Sequence, residues 1–257
     1  MTRTAIAAGG RRRTYLHVPP ARVDPIAPLL LALHGSTQTG ATMRRFSGRT
    51  LDDLAARIGA DLVYLDGYHR AWNDARRLAT SAAQKKDVDD VAFVRAVIDR
   101  FERPAIAIGY SNGGQLVHKL LHGALGLLSG AVIVAAGLPV DDDFTLRDGT
   151  PDRVPTLLLH GTADPVVPYE GGPVRLLGRP KGTVRSARAT ADAYAPATDA
   201  SVARSGDIER TDWGSVRLVT QFGVGHVIPN RKSSPRFVGP SHHDLDLGEE
   251  AGSFFGL

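Results

Sequence analysis

The sequence predicts an α/β protein with a mostly parallel central sheet and helices on both faces. Three observations lead there. First, Leu29–Leu33, Ala131–Ala136 and Pro155–Gly161 are apolar runs of strand length, the pattern of strands covered on both sides. Second, 50–58 and 88–98 place apolar residues at helical spacing between such runs. Third, strands and helices alternate along the chain without internal repeat or low-complexity stretch, which argues for one domain over 1–257 with a full core.

Taken in order, Thr14–Val18 alternates before Pro19-Pro20 and reads as an early strand ending at a turn. The strand Leu29–Leu33 runs into a polar loop, His34-Gly35-Ser36-Thr37-Gln38-Thr39-Gly40. Thr50–Ile58 is a helix stopped by Gly59, and Asp61–Leu65 the next strand. A polar segment over 66–86 carries Trp72-Asn73-Asp74. Asp87 is placed to cap the helix that follows, and Asp89 and Asp90 are read as structural, capping residues.

Pro104–Ile108 is a short buried strand, and Gln115–Leu121 has helical spacing. The 18 residues over 138–155 form a polar connection too short for a helical cap, so an open, shallow site is expected, walled by residues within 169–214. Ser186–Tyr194 is a helix candidate and 195–214 a loop. Val216–Phe222 is a strand entering Gly223-Val224-Gly225-His226. Residues 230–243 are polar, and Asp244–Phe255 is a closing helix.

Composition excludes several classes. The absence of cysteine removes disulfides, thiol catalysis and thiolate metal sites. The net charge of +4 comes from scattered arginines, and the one dense run, Arg11-Arg12-Arg13, is too short and too poor in aromatic neighbours for a nucleic-acid face. These charges are assigned to a solvated surface. No segment is apolar enough to span a bilayer and Met1–Gly10 has no signal-peptide core, so the expected compartment is the cytoplasm. His242-His243-Asp244 are adjacent and diverge, so no metal is expected.

Between the strand at 104–108 and its helix lies Gly109-Tyr110-Ser111-Asn112-Gly113, a serine between glycines on a strand-to-helix turn. That arrangement lifts a hydroxyl above the sheet on a strained turn, where side chains at 109 or 113 would collide with their neighbours. Such a serine needs a base and an acid that orients the base. His226 and Asp164 each follow a buried strand, as Ser111 does. The competitors are His242 and His243 for the base and Asp141, Asp142 and Asp143 for the acid. The oxyanion donors expected are the N–H groups of Asn112 and Ser36, with Thr37 the alternative to Ser36. Thr37, Trp72 and Tyr110 are candidate substrate contacts, with Trp72 read equally as a loop tryptophan packed on the core.

These segments resemble the α/β-hydrolase superfamily, and within it the esterase group of polyhydroxybutyrate depolymerases, feruloyl and acetyl xylan esterases and LpqC-like proteins. The residues that carry the resemblance are Leu33–Thr39, Trp72-Asn73-Asp74, Asp89–Phe93, Gly109–Gly114, His160–Pro168 and Gly225-His226, in order from about residue 12 to the end. Secreted members commonly carry cysteine in the oxyanion loop, where this chain has Ser36. The resemblance implies an α/β-hydrolase fold without a large cap, a Ser111–His226–Asp164 triad and hydrolysis of small or medium carboxylic esters without a cofactor. The same triad could serve polyhydroxyalkanoate cleavage, peptide cleavage or acyl transfer, and a non-catalytic binding protein is the alternative of another class.

Overall fold

The computed structural model describes residues 1–78, 80–232 and 238–257. Part of the polar segment at 230–243 therefore lies outside the described residues. Twelve strands and seven helices follow in the order β1 (Thr2–Ala8), β2 (Arg11–Val18), β3 (Leu29–Leu33), α1 (Gly40–Phe46), α2 (Thr50–Ile58), β4 (Leu62–Leu65), α3 (Ala82–Lys85), α4 (Asp90–Phe101), β5 (Ala105–Tyr110), α5 (Asn112–Gly123), β6 (Gly130–Val134), β7 (Thr156–Gly161), β8 (Gly172–Leu176), β9 (Arg179–Val184), α6 (Ala187–Tyr194), β10 (Ser201–Ser205), β11 (Ile208–Asp212), β12 (Val216–Gln221) and α7 (Leu247–Phe255).

Ten strands form one sheet in the order β1-β2-β4-β3-β5-β6-β7-β12-β11-β10. The central strands from β4 to β12 pair in parallel, and antiparallel strands finish both edges. The all-apolar central strands divide their side chains between two cores. Leu29, Leu31 and Leu33 face α4, α5 and α6, whereas Leu30 and Ala32 face α1, α2 and α7. A strand with one face in water could not carry apolar side chains at five successive positions; coverage on both sides is what permits it. No helix among the described residues is long and apolar enough to cross a membrane.

Several expectations require correction. The segment 195–214 is not a loop: β10 and β11 form a hairpin that extends the sheet edge beyond β12. Asp87 does not cap α4; Asp89 does, its carboxylate accepting from Ala92 N at 2.8 Å. The Arg11–Arg13 run is not wholly a solvated face, because Arg13 is buried, 2.6 Å from the carboxylate of Asp90 and stacked over Phe93. Burial pushes the Asp90 carboxyl up from its ordinary value, against the pull of Arg13. β8 and β9 form a second, two-stranded sheet on residues for which no strand was expected. Its base is tied to the segment after β6 by Val140 N to Thr183 O and Arg185 N to Leu138 O.

Candidate active site

The carboxyl ends of β3, β5, β7 and β12 carry the loops of the site. Ser111 sits between β5 and α5 with φ 53° and ψ −116°, a conformation L-residues rarely adopt and one that the surrounding backbone must enforce. The enforcement is steric. A Cβ at Gly113 would overlap the carbonyls of Leu33 and His34, and one at Gly109 would overlap Gly113 itself. The turn is pressed against the end of β3, which brings Ser111 beside the loop that follows that strand.

Ser111, His226 and Asp164 lie on one hydrogen-bonded line. His226 Nε2 is 2.9 Å from Ser111 Oγ, and His226 Nδ1 is 2.7 Å from Asp164 Oδ2. The other carboxylate oxygen of Asp164 accepts from Val166 N and Val167 N, both at 2.8 Å, which fixes its orientation. Burial alone pushes the Asp164 carboxyl up. The charge of His226, with hydrogen bonds from His160 and His226, outweighs burial and holds it well below the usual carboxylate range. An ionised acceptor on Nδ1 keeps the proton on that nitrogen and leaves Nε2 free to accept from the serine.

The two loops carrying the base and acid brace each other: Ala163 N donates to Val224 O at 2.9 Å, and Gly223 N to Thr162 Oγ1 at 2.9 Å. The competitors lie elsewhere. Asp143 accepts from Leu78 N and Thr183 N, Asp141 pairs with Arg185, and His243 meets Asn230 O. His242 is 3.9 Å from Asp207. No metal-holding group of acidic residues and histidines occurs among the described residues.

Ser36 and Asn112 line the same cleft as Ser111. Thr37 does not: it is exposed, with φ 67°, and its N–H is committed to Arg70 O at 2.9 Å. Trp72 and Tyr110 do not reach the cleft either. Trp72 is fully buried, its indole N–H donating to His34 O at 2.8 Å and its main-chain N–H to Asn112 Oδ1 at 2.9 Å. Tyr110 donates to His226 O at 2.8 Å.

Sequence reasoning missed a supporting network. Asp74 is buried, accepting from Arg76 at 2.7 Å and from the Asn112 side chain at 2.6 Å. His34, in the polar loop after β3, donates from Nδ1 to Gly35 O at 2.8 Å and accepts from Gly67 N at 2.9 Å. Burial lowers its pKa to about 4, so the ring is neutral and its tautomer is set by these two contacts. The signal was available in the Trp-Asn-Asp sequence, but only the fold shows that it grips the residue after Ser111.

The cleft is a small opening beside Ser111, open to solvent. Val166 and Val167, from the loop after β7, and Val174 and Leu176, from β8, give it an apolar wall. Gln115, Arg76 and Lys181 add polar groups to the lining. The expected wall within 169–214 is thus the β8–β9 hairpin, while β10 and β11 lie at the sheet edge.

No family model matches the sequence. A protein of Nocardia uniformis subsp. tsuyamanensis described as "Putative esterase NocK" is 33% identical over 180 residues, which are 66% of this chain and 50% of that protein. The chain thus spans about half the length of the curated relative it matches. Among solved structures, acetyl xylan esterase from Aspergillus awamori superposes with a TM-score of 0.66 at 13% identity, covering 100% of this chain and 99% of that one. Est1E from Butyrivibrio proteoclasticus gives 0.60 at 14% identity over 98% and 97% of the two chains. An alpha-beta serine hydrolase homologue from Coxiella burnetii gives 0.55 at 14% over 88% and 89%. With its parallel core, its strand-to-helix elbow and these neighbours, the chain has the α/β-hydrolase fold.

Proposed function

We propose that this protein is a serine esterase that hydrolyses carboxylic esters with short acyl groups. The observation that carries the reading is the unbroken line from Ser111 Oγ through His226 to the Asp164 carboxylate. Ser111 Oγ attacks the ester carbonyl carbon while His226 Nε2 takes its proton. The carbonyl oxygen gains negative charge and lies against the N–H groups of Ser36 and Asn112; one such donor is typically worth about 10²–10³ in rate. The C–O bond then breaks, and the alcohol leaves with the proton from His226. Water repeats the sequence on the acyl-enzyme, releasing the acid and restoring Ser111. The resemblance to named esterases in sequence and fold supports ester chemistry over the other reactions that this triad can run.

The test is hydrolysis of p-nitrophenyl acetate, butyrate and octanoate by the wild type and Ser111→Ala. Loss of about 10⁴-fold or more in kcat in the variant is expected, with the shorter esters preferred. Equal rates in the two proteins would refute the assignment of the nucleophile.

A further inference from the structure

The polar lining of the cleft carries more positive charge than its neighbours cancel. Arg76 is committed: Asp74 takes its Nε and Nη2, and Lys181 O its Nη1 at 2.9 Å. Asp74 in turn is shared with Asn112. Lys181, on β9, is half-buried and has no carboxylate in its salt-bridge range among the described residues. Burial first, then the proximity of Arg76, Arg179 and Lys85, lowers its pKa, with only Asp74 acting the other way. Asp143, beside Gly182, spends its oxygens on the main-chain N–H groups of Leu78 and Thr183.

A second feature limits where an anion can sit. Gln115 is 2% exposed and lines this cleft, yet its Oε1 has no hydrogen-bond partner. Its amide nitrogen is fixed on Gly137 O at 2.7 Å, so turning the amide over would only exchange one unpaired group for a repulsive contact. A buried acceptor left unpaired is costly; only a donor satisfies it, and neither an alkyl chain nor an ionised carboxylate supplies one. An anionic acyl group must therefore meet Lys181 and stand clear of Gln115.

The geometry also assigns the cleft to one half of the substrate. The leaving alcohol must depart beside His226, which gives it a proton. The cleft touches Ser111, Ser36 and Asn112 but is not lined by His226. It therefore receives the acyl portion.

We infer that the preferred substrates are esters whose acyl group carries a carboxylate a few atoms from the scissile carbonyl, with Lys181 as the specificity-determining residue that binds it. The apolar wall of Val166, Val167, Val174 and Leu176 packs the intervening methylenes, and the ammonium faces the terminal anion. This rests on the esterase reading above.

The experiment compares kcat/KM for 4-nitrophenyl hydrogen succinate with that for 4-nitrophenyl butyrate, which match in chain length and differ in charge. Ser111→Ala serves as the blank for spontaneous hydrolysis. The wild type is expected to favour the succinate about tenfold, the scale of one charge-assisted contact. Lys181→Met should erase that preference, Lys181→Glu invert it and Lys181→Arg keep most of it, and added salt should weaken it. The ratio is internal to each protein, so partial loss of folded enzyme cancels. A wild type that turns over both esters with a ratio unchanged in Lys181→Met overturns this inference while leaving the esterase reading standing. No turnover of either ester above the blank overturns both.

Discussion

The Tyr110 hydroxyl donates to the main-chain carbonyl of His226 at 2.8 Å, and its ring lies 5.0 Å from the imidazole. The residue before Ser111 thus holds the residue opposite it, across 116 positions of sequence. His226 is located by the same turn that locates Ser111, so movement of one carries the other.

Replacing Tyr110 by Phe keeps the ring and removes the bond. The expected effect is a fall in kcat of about fivefold with KM little changed, matching the net worth of one hydrogen bond. Steady-state kinetics on p-nitrophenyl butyrate would check this. A change confined to KM would instead place Tyr110 against substrate.

Asp74 holds both Arg76 and the Asn112 side chain. In Asp74→Ala the Arg76 charge stays buried without its partner, a loss expected to cost about 3–5 kcal/mol. Urea denaturation measures it. Activity should fall further than folded fraction accounts for, because Asn112, the proposed source of one oxyanion donor, loses its anchor. Retention of full kcat per folded molecule would limit Asp74 to a structural role.

Buried histidines predict an acid-sensitive fold. Burial lowers the pKa of His34 to about 4 and that of His118 to about 3, against an unfolded value of 6.5. Between these limits the unfolded chain binds protons that the folded one refuses. The stabilisation is therefore complete above pH 6.5 and is lost as pH falls towards 4, by up to about 1.4 kcal/mol per unit for each ring. Urea midpoints at pH 7, 6 and 5 should decline, and His118→Gln should flatten the slope. His118 also meets the Tyr194 hydroxyl at 2.6 Å, so the variant will start from a lower stability at pH 7.

Sequence legibility followed burial. The bounds of β3 and α2 were readable because Leu29–Leu33 and Thr50–Ile58 bury regular faces. The convergence of Ser111, Asp164 and His226 was readable because each follows a fully or largely buried strand. β10 has all five residues exposed, so its hydrophobic pattern carries no strand signal; its pairing with β11 defines it. β1 likewise exists through its register with β2, across a Gly9-Gly10 turn with φ of 54° and 69°. Trp72 was readable equally as a substrate contact or as packed on the core, and the structure shows the second; its partners, His34 and Asn112, are 38 and 40 residues away. Local spacing cannot report on contacts of that kind.

The β8–β9 hairpin stands outside the ten-stranded sheet, yet it supplies Val174, Leu176 and Lys181 to the cleft. The proposed bond-breaking and recognition therefore draw on different sheets, joined by hydrogen bonds to main-chain oxygens, from Arg76 to Lys181 O and from Arg175 N to Val166 O. Side chains of Gly172–Val184 that face the cleft could change while those bonds are kept and both cores of the main sheet stay as they are. Such a division lets a lineage change what it digests at little risk to whether it digests, and it gives an engineer a short cassette in which to do the same.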